Sequence, residues 1–431
     1  MAEHAVGITA PSEIRRHWGA VAACFVTAVF AWGLGFYGQS VYLAELCRLH
    51  GWSSFLIGSA TTAFYLCGAL LVMRVHSAIE RLGPRAVLIA GSLLLGLGAV
   101  LFCGSAAPWQ LYGAALVMAS GWVCTTMAAI STVLALWFDR QRGLAISLAL
   151  NGASAAGFLV TPVLSALSRR YGLVTAVAGT ALALLCLLVP LVVFGMDPYS
   201  PRQKLRSSPE MCEDPRPAYR SSSEALADWR LWSVALPFAL VLAAQVGFLI
   251  HLVALLRPQL GANGAAAAVA AASITAMLGR VGLGLIVDRL DQRRVSAASF
   301  LSQALALAAI LMWPARPEVL YAGCCLFGLS VGNVITLPSL IIQREFAAQS
   351  FGLIVGLSAG IGQLTFAFGP ALLGLIRDLT GEYAPALVLC IALQLVAAAI
   401  VLSYRPDCSA VRISRARPAR VSVPARRARD R

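Results

Sequence analysis

Apolar runs of about twenty residues recur along nearly the whole chain, and a run of that length is what an α-helix needs to cross the hydrocarbon core of a bilayer. Twelve such segments are predicted, at 19–43, 54–76, 85–105, 109–136, 143–167, 173–195, 232–256, 265–287, 295–314, 319–342, 351–376 and 384–404. Only 12% of the 431 residues are charged, against about 25% in soluble chains. A soluble protein must cover its surface with polar groups, so a deficit of this size fits a surface that faces lipid. The predicted fold class is an all-α polytopic membrane protein of twelve transmembrane helices.

The segments form two groups of six. Between them lies 197–230, rich in Pro, Ser and charge (Pro198, Pro201, Lys204, Pro209, Glu213, Asp214, Pro215, Pro217), which reads as a polar linker. The expected organisation is a first six-helix half at 1–196, a cytoplasmic linker at 197–230, a second half at 231–404 and a basic cytoplasmic tail at 405–431. That tail has few apolar residues and is expected to be disordered.

Basic residues set orientation, because Lys and Arg in short loops stay in the cytoplasm. With both termini inside, 25 of the 33 basic residues fall on the cytoplasmic side and 6 on the other; the remaining pair, Arg74 and Arg280, lie within segments. The expected location is an inner membrane, multi-pass, with both termini cytoplasmic. Trp18, Trp52, Trp109, Trp137, Trp229, Trp232 and Trp313 fall at segment ends, as an interfacial belt requires. The net charge of +14 is thereby accounted for as a topology signal touching anionic lipid, and no nucleic-acid partner is expected.

Other classes find little support. Arg15 and Arg16 precede an apolar run, but it is too long for a signal-peptide core and reads as the first span. The eleven cysteines are scattered through apolar segments without a C-x-x-C pair, so neither a disulfide framework nor a zinc site is expected. A single Lys leaves no room for a nucleotide-binding P-loop. No nucleophile and base pair, metal cluster or sizeable soluble domain supports an enzyme, and no cofactor is expected.

The halves are internally related. Arg81 and Arg289, Phe138 and Phe346, Pro162 and Pro370, and Arg169 and Arg377 are each 208 residues apart and sit at matching places in the two sets of segments. One constant offset across four elements marks a duplication. The loop after the eighth segment reads Gly284-Leu-Ile-Val-Asp288-Arg289-Leu-Asp-Gln-Arg293-Arg294, and the loop after the second carries a drifted copy, His76-Ser-Ala-Ile-Glu80-Arg81-Leu-Gly83-Pro84-Arg85. A carboxylate at a helix end can accept from the backbone N–H groups of a facing helix or pair with nearby Arg. Glu80, Arg81, Arg85, Gly284, Asp288, Arg289, Arg293 and Arg294 are therefore candidates for a latch between the halves. The alternative is that their charges only mark cytoplasmic loops.

The loop after the eighth segment resembles the signature G-x-x-x-D-R-x-x-x-R-R of the major facilitator superfamily, whose plan is two parallel repeats of six helices. Within it the chain is similar to the monocarboxylate and oxalate–formate branch. Gly51-Trp52-Ser53 opens the second segment, Trp137-Phe138-Asp139-Arg140-Gln141-Arg142-Gly143-Leu144-Ala145 leads into the fifth, and Gly279-Arg280 precedes Gly284 and Asp288-Arg289. The resemblance implies an alternating-access secondary transporter with a monomeric functional unit and a small-molecule substrate, with or without a coupling ion.

Arg280 is the most informative residue. An ionised guanidinium inside a span is costly and needs a wet cavity or a partner, and it binds carboxylates through paired hydrogen bonds. In the branch that the chain resembles, the matching Arg holds the substrate carboxylate. The alternative is that Arg280 snorkels to the cytoplasmic boundary. None of the nineteen acids lies mid-span, the first segment has no Lys, and Ala276 stands one turn before Arg280 where an Asp would complete a charge pair. These features favour an organic anion such as a monocarboxylate and place proton coupling by the familiar route in doubt. A multidrug or metabolite exporter of the same superfamily, and a non-transporting membrane receptor, remain alternatives. Tyr37, Gln39, Tyr65, Asn151, Gln245, Asn333 and Gln363 complete the candidate substrate set. They are followed by Thr125, Thr126 and His251; for each, interhelical bonding is the competing role. Trp32 and Trp122 are candidates for an apolar wall.

Overall fold

The computed structural model describes residues 13–138, 142–196, 219, 221–287, 290–347 and 350–404. Every regular element among them is helical. Among the described residues eleven helices are long and apolar enough to cross a membrane. One of these, Trp229–Ile286, has 58 residues and non-helical backbone at Gly261 (φ 67°, ψ 176°). At about 1.5 Å per residue it would be about 87 Å long if straight, nearly three bilayer cores. The left-handed φ at Gly261, which a Cβ disfavours, turns the chain back and divides it into two spans. The chain is thus a multi-pass membrane protein, with twelve spanning helices among the described residues.

These helices are α1 (Trp18–His50), α2 (Ser54–Leu71, continuing through Val75–Leu82), α3 (Pro84–Cys103), α4 (Pro108–Leu134), α5 (Arg142–Tyr171), α6 (Leu173–Gly195), α7 (229–260), α8 (262–286), α9 (Gln292–Met312), α10 (Pro317–Glu345), α11 (Phe351–Ala367 and Gly369–Thr380) and α12 (Ala384–Ser403). Because α1 begins and α12 ends at the same side, that side is here the terminal face and the other the distal face. Trp18, Trp109, Trp229 and Trp313 are all exposed at helix ends, as residues of an interfacial belt are. The linker residues 197–218 and the tail 405–431 lie outside the described residues.

Sequence explains most helix boundaries. Pro84, Pro108 and Pro317 sit in the first turns of α3, α4 and α10, where a missing N–H loses nothing. Ser53 caps α2 by accepting from the Leu56 amide at 3.1 Å, and Asp291 caps α9 by accepting from the Arg293 and Arg294 amides. Beside α2, which passes through a 3₁₀ turn at Val72–Arg74, three spans are irregular. Helix α1 contains a π-turn at Gly33–Tyr37, α4 breaks between Val123 and Met127, and α11 breaks at Phe368, just before Pro370.

The duplication is visible in the packing. Phe138 and Phe346, which follow α4 and α10, are each 1% exposed. The buried apolar core is continuous between the halves toward the distal face. At the terminal face the second half has a separate core around Val234, Phe300, Leu337 and Val401.

Candidate substrate site and gates

Arg280 projects from α8 at the seam with the first half. Helix side chains lean toward the N-terminus of their own helix. Because α8 runs from the distal to the terminal face, the Arg280 side chain leans inward, away from the terminal-face boundary, opposite to the direction snorkelling needs. Tyr37 descends from α1, which runs the other way, to the level of Ser273 of α8. Gly157 of α5 makes this convergence possible. A Cβ there would collide with Ser273 and lie 3.1 Å from the Tyr37 ring.

The guanidinium is poorly satisfied. One terminal nitrogen donates to the Leu150 carbonyl of α5 at a long 3.4 Å, and Nε is buried without a protein partner. The Oδ1 atoms of Asn151 and Asn333 are buried and unpartnered too. Gly332, next to Asn333, faces the Arg280 side chain across the α8–α10 contact. Arg280 thus stands between the Leu150 carbonyl of α5 and Gly332 of α10 with hydrogen-bonding capacity left over at Nε, and Asn151 and Asn333 are the next residues along those two helices.

Other candidates are bonded within the bundle. Gln39 accepts from Thr61 of α2 at 3.2 Å and donates to the Met118 sulfur of α4 at 3.7 Å. Tyr65 donates to the Gly35 carbonyl at 3.2 Å, within the π-turn, where the regular i to i−4 pattern is interrupted. Gln245 belongs to a buried chain in which Gln394 donates to Gln303 at 2.7 Å and Gln303 to Gln245 at 3.1 Å. Gln363 is half-buried, close to Gly68 of α2. Thr125 and Thr126 bond to carbonyls of the preceding turn. His251 donates from Nε2 to the Pro370 carbonyl at 3.0 Å and accepts at Nδ1 from Tyr383 at 3.1 Å. Trp32 and Trp122 do pair, with ring centroids 5.4 Å apart.

Of the latch candidates, Asp288 and Arg289 lie outside the described residues. Gly284 lies within α8. Glu80 and Arg81 are exposed at the terminal face, and Arg294 is an exposed partner of Asp291 at 3.8 Å. Arg85 bonds to the Met196 carbonyl beyond α6. Arg293 is buried within the second half. It makes a two-pronged pair with Glu345 at 2.7 and 2.8 Å, bonds to Ser233 and the Val401 carbonyl, and lies over the Tyr404 ring.

At the distal face three polar links cross between the halves among the described residues, the weakest a 3.5 Å bond from the Ser165 hydroxyl of α5 to the Ala262 carbonyl of α8. Glu45 of α1 pairs with Arg257 of α7 at 2.8 Å and also holds Arg48 at 2.7 Å. Asp378 of α11 accepts from the Ser54 and Phe55 amides at 3.1 and 2.6 Å. It thereby places a carboxylate on the N-terminus of α2, where free N–H groups and the helix dipole favour negative charge. Both acids lie at span ends, in keeping with the absence of mid-span acids in the sequence.

Residues 21–370 match the Major Facilitator Superfamily. The chain belongs to that family. It is 28% identical over 400 residues to monocarboxylate transporter 11 of Mus musculus, covering 86% of this chain and 84% of that protein. It is 24% identical over 404 residues to the MFS-type transporter YcxA of Bacillus subtilis (87% and 93%), and 27% identical over 402 residues to a probable nitrate/nitrite transporter, NarK2, of Mycobacterium tuberculosis (88% and 93%). The protein is a transporter of a small molecule and not an enzyme.

Proposed function

We propose that this transporter moves a small organic anion, a monocarboxylate, across an inner membrane by alternating access, with Arg280 as the carboxylate ligand. One observation carries the reading. Arg280 stands at the seam of the two halves, leaning toward mid-membrane, with Nε unpartnered and its one protein hydrogen bond long. A buried guanidinium without a carboxylate is expensive, and a substrate carboxylate supplies the missing acceptor. Asn151 and Asn333 are proposed to complete the polar end of the site. Monocarboxylate transporter 11 among the relatives supports this substrate class.

The basic-loop bias identifies the terminal face with the cytoplasm. The distal links Glu45–Arg257 and Asp378–α2 then close the outward side. Asp288 and Arg289, with the loop copy at Glu80 and Arg81, are proposed as the latch of the opposite state. The functional unit is proposed to be a monomer, since both halves of the seam come from one chain. Uptake of labelled organic acids into proteoliposomes tests the reading. Saturable uptake of a monocarboxylate supports it, and transport confined to cationic or neutral solutes contradicts it.

A further inference from the structure

One face of α1 carries Trp18, Ala22, Phe25, Val29, Trp32 and Phe36, the four-three spacing of a single helical stripe. All of these except Val29 keep some exposure, although α1 is among the most enclosed spans and Cys24, Ala28 and Ala31 on its other faces are fully buried. The aromatic members are therefore the open side of an otherwise packed helix. Toward the terminal face the stripe forms, with Leu148 and Asn151 of α5, a groove of about 410 Å³. The groove reaches Asn151, and the adjacent Leu150 carbonyl is the one that Arg280 contacts. Toward mid-membrane Trp32 lies on Trp122, and Phe36 stands edge-on to Tyr37 with centroids 5.1 Å apart. The Tyr37 ring lies beside the α5–α8 contact at Gly157. The groove holds the Phe25 end of the stripe, and Arg280 meets α5 at the residue next to Asn151 in its lining, so the cation and the half-open rings border the same α1–α5 seam.

We infer that the preferred ligand is a monocarboxylate with an aromatic or comparably broad apolar body, its carboxylate on Arg280 and its body along the Phe25, Trp32 and Phe36 row. This rests on the proposed role of Arg280 and adds what the rest of the ligand must be. A two- or three-carbon acid would engage the guanidinium and leave the rings unused. A planar ring stacks on them in the offset and edge-on arrangements that aromatic groups favour. Burial of one phenyl group then corresponds to about 10- to 100-fold tighter binding.

The test is isothermal titration of the purified full-length chain with acetate, lactate, phenylacetate and indole-3-acetate. Phenylacetate and indole-3-acetate are expected to bind about 10- to 100-fold more tightly than acetate. Trp32→Leu and Phe36→Leu are each expected to lower the ratio of phenylacetate to acetate affinity about tenfold. The ratio is read within one folded variant, so a general loss of folding does not imitate the effect. Acetate or lactate binding as tightly as phenylacetate overturns the inference while leaving the carboxylate role of Arg280 intact, and so does a ratio unchanged in both ring variants. Binding of none of the four acids overturns both.

Discussion

Arg85 and Arg293, 208 residues apart, occupy equivalent places in the two halves, each donating to a backbone carbonyl at the terminal-face end of its half's last helix: Arg85 to Met196, and Arg293 to Val401 at 3.2 Å. The equivalence is incomplete. Arg293 also has Glu345, whereas the position 208 residues before Glu345 is Trp137, whose indole nitrogen is buried without a partner, as is Arg85 Nε. The first half therefore lacks, among the described residues at this position, the acid that the second half uses.

Unequal stability effects follow from that difference. Arg293→Ala leaves the Glu345 carboxylate enclosed without its cation and should destabilise the second half by about 3–5 kcal/mol. Arg85→Ala removes a charged hydrogen bond from a half-buried site and should cost about 1.5–3 kcal/mol. Thermal unfolding in detergent should rank wild type, Arg85→Ala and Arg293→Ala in descending order; equal midpoints for the two variants would contradict the assignment.

The distal links should bias the resting state. Glu45→Gln and Asp378→Asn each remove a charge-assisted contact between the halves, worth about 1.5–3 kcal/mol, so the outward-open population should rise about 10- to 100-fold. Cys47 lies 3.8 Å from Ser54 in this seal. With the other cysteines replaced, its labelling by a membrane-impermeant maleimide from the distal side should accelerate in both variants. An unchanged rate in both would mean that the links do not hold the gate.

The α5–α8 contact should be intolerant of bulk. Gly157→Val would force Ser273 and the Tyr37 ring away from the seam. The expected result is weaker substrate binding together with a destabilisation of about 1–3 kcal/mol, the usual cost of overpacking. Normal affinity with normal thermal stability would show that the seam yields more than the backbone approach implies.

The terminal-face latch has its own signature. Asp288→Asn should slow turnover with a smaller effect on substrate affinity, because the residue is proposed to stabilise one gate state rather than to touch substrate. Glu80→Gln should matter less, since His76 in place of Gly marks the drift of its loop. Stopped-flow uptake separates these quantities, and wild-type turnover by correctly inserted Asp288→Asn protein would remove the latch.

Much of the architecture was legible because membrane insertion enforces simple local rules. Apolar length identified the spans, and the return of Phe138 at Phe346 identified the repeat. Arg280 stood out because an intramembrane charge is rare and costly. What could not be read depends on distant partners. Asp378 meets Ser54 across 324 positions, so nothing local marks it as the cap of α2. The π-turn at Gly33–Tyr37 is tied to the Tyr65 hydroxyl of another helix. Arg293 shares the spacing of the loop signature with Asp288, yet its carboxylate partner is at the end of α10, so motif membership suggested a gate where the packing shows a staple within one half. Gln245 looked like a cavity residue for the same reason, since Gln303 and Gln394 approach it only in three dimensions.

The central claim is tested most directly by substrate affinity across Arg280, Arg280→Lys and Arg280→Gln in purified, folded protein. A planar guanidinium can grip a carboxylate with two parallel hydrogen bonds, an ammonium offers a point charge, and an amide offers neither. Affinity for the transported acid should fall in that order, with the Gln variant at least about tenfold below wild type, and all three proteins should insert, because losing a costly intramembrane charge seldom harms insertion. Unchanged affinity along the series, or poor insertion with normal affinity in the folded fraction, would contradict the carboxylate site.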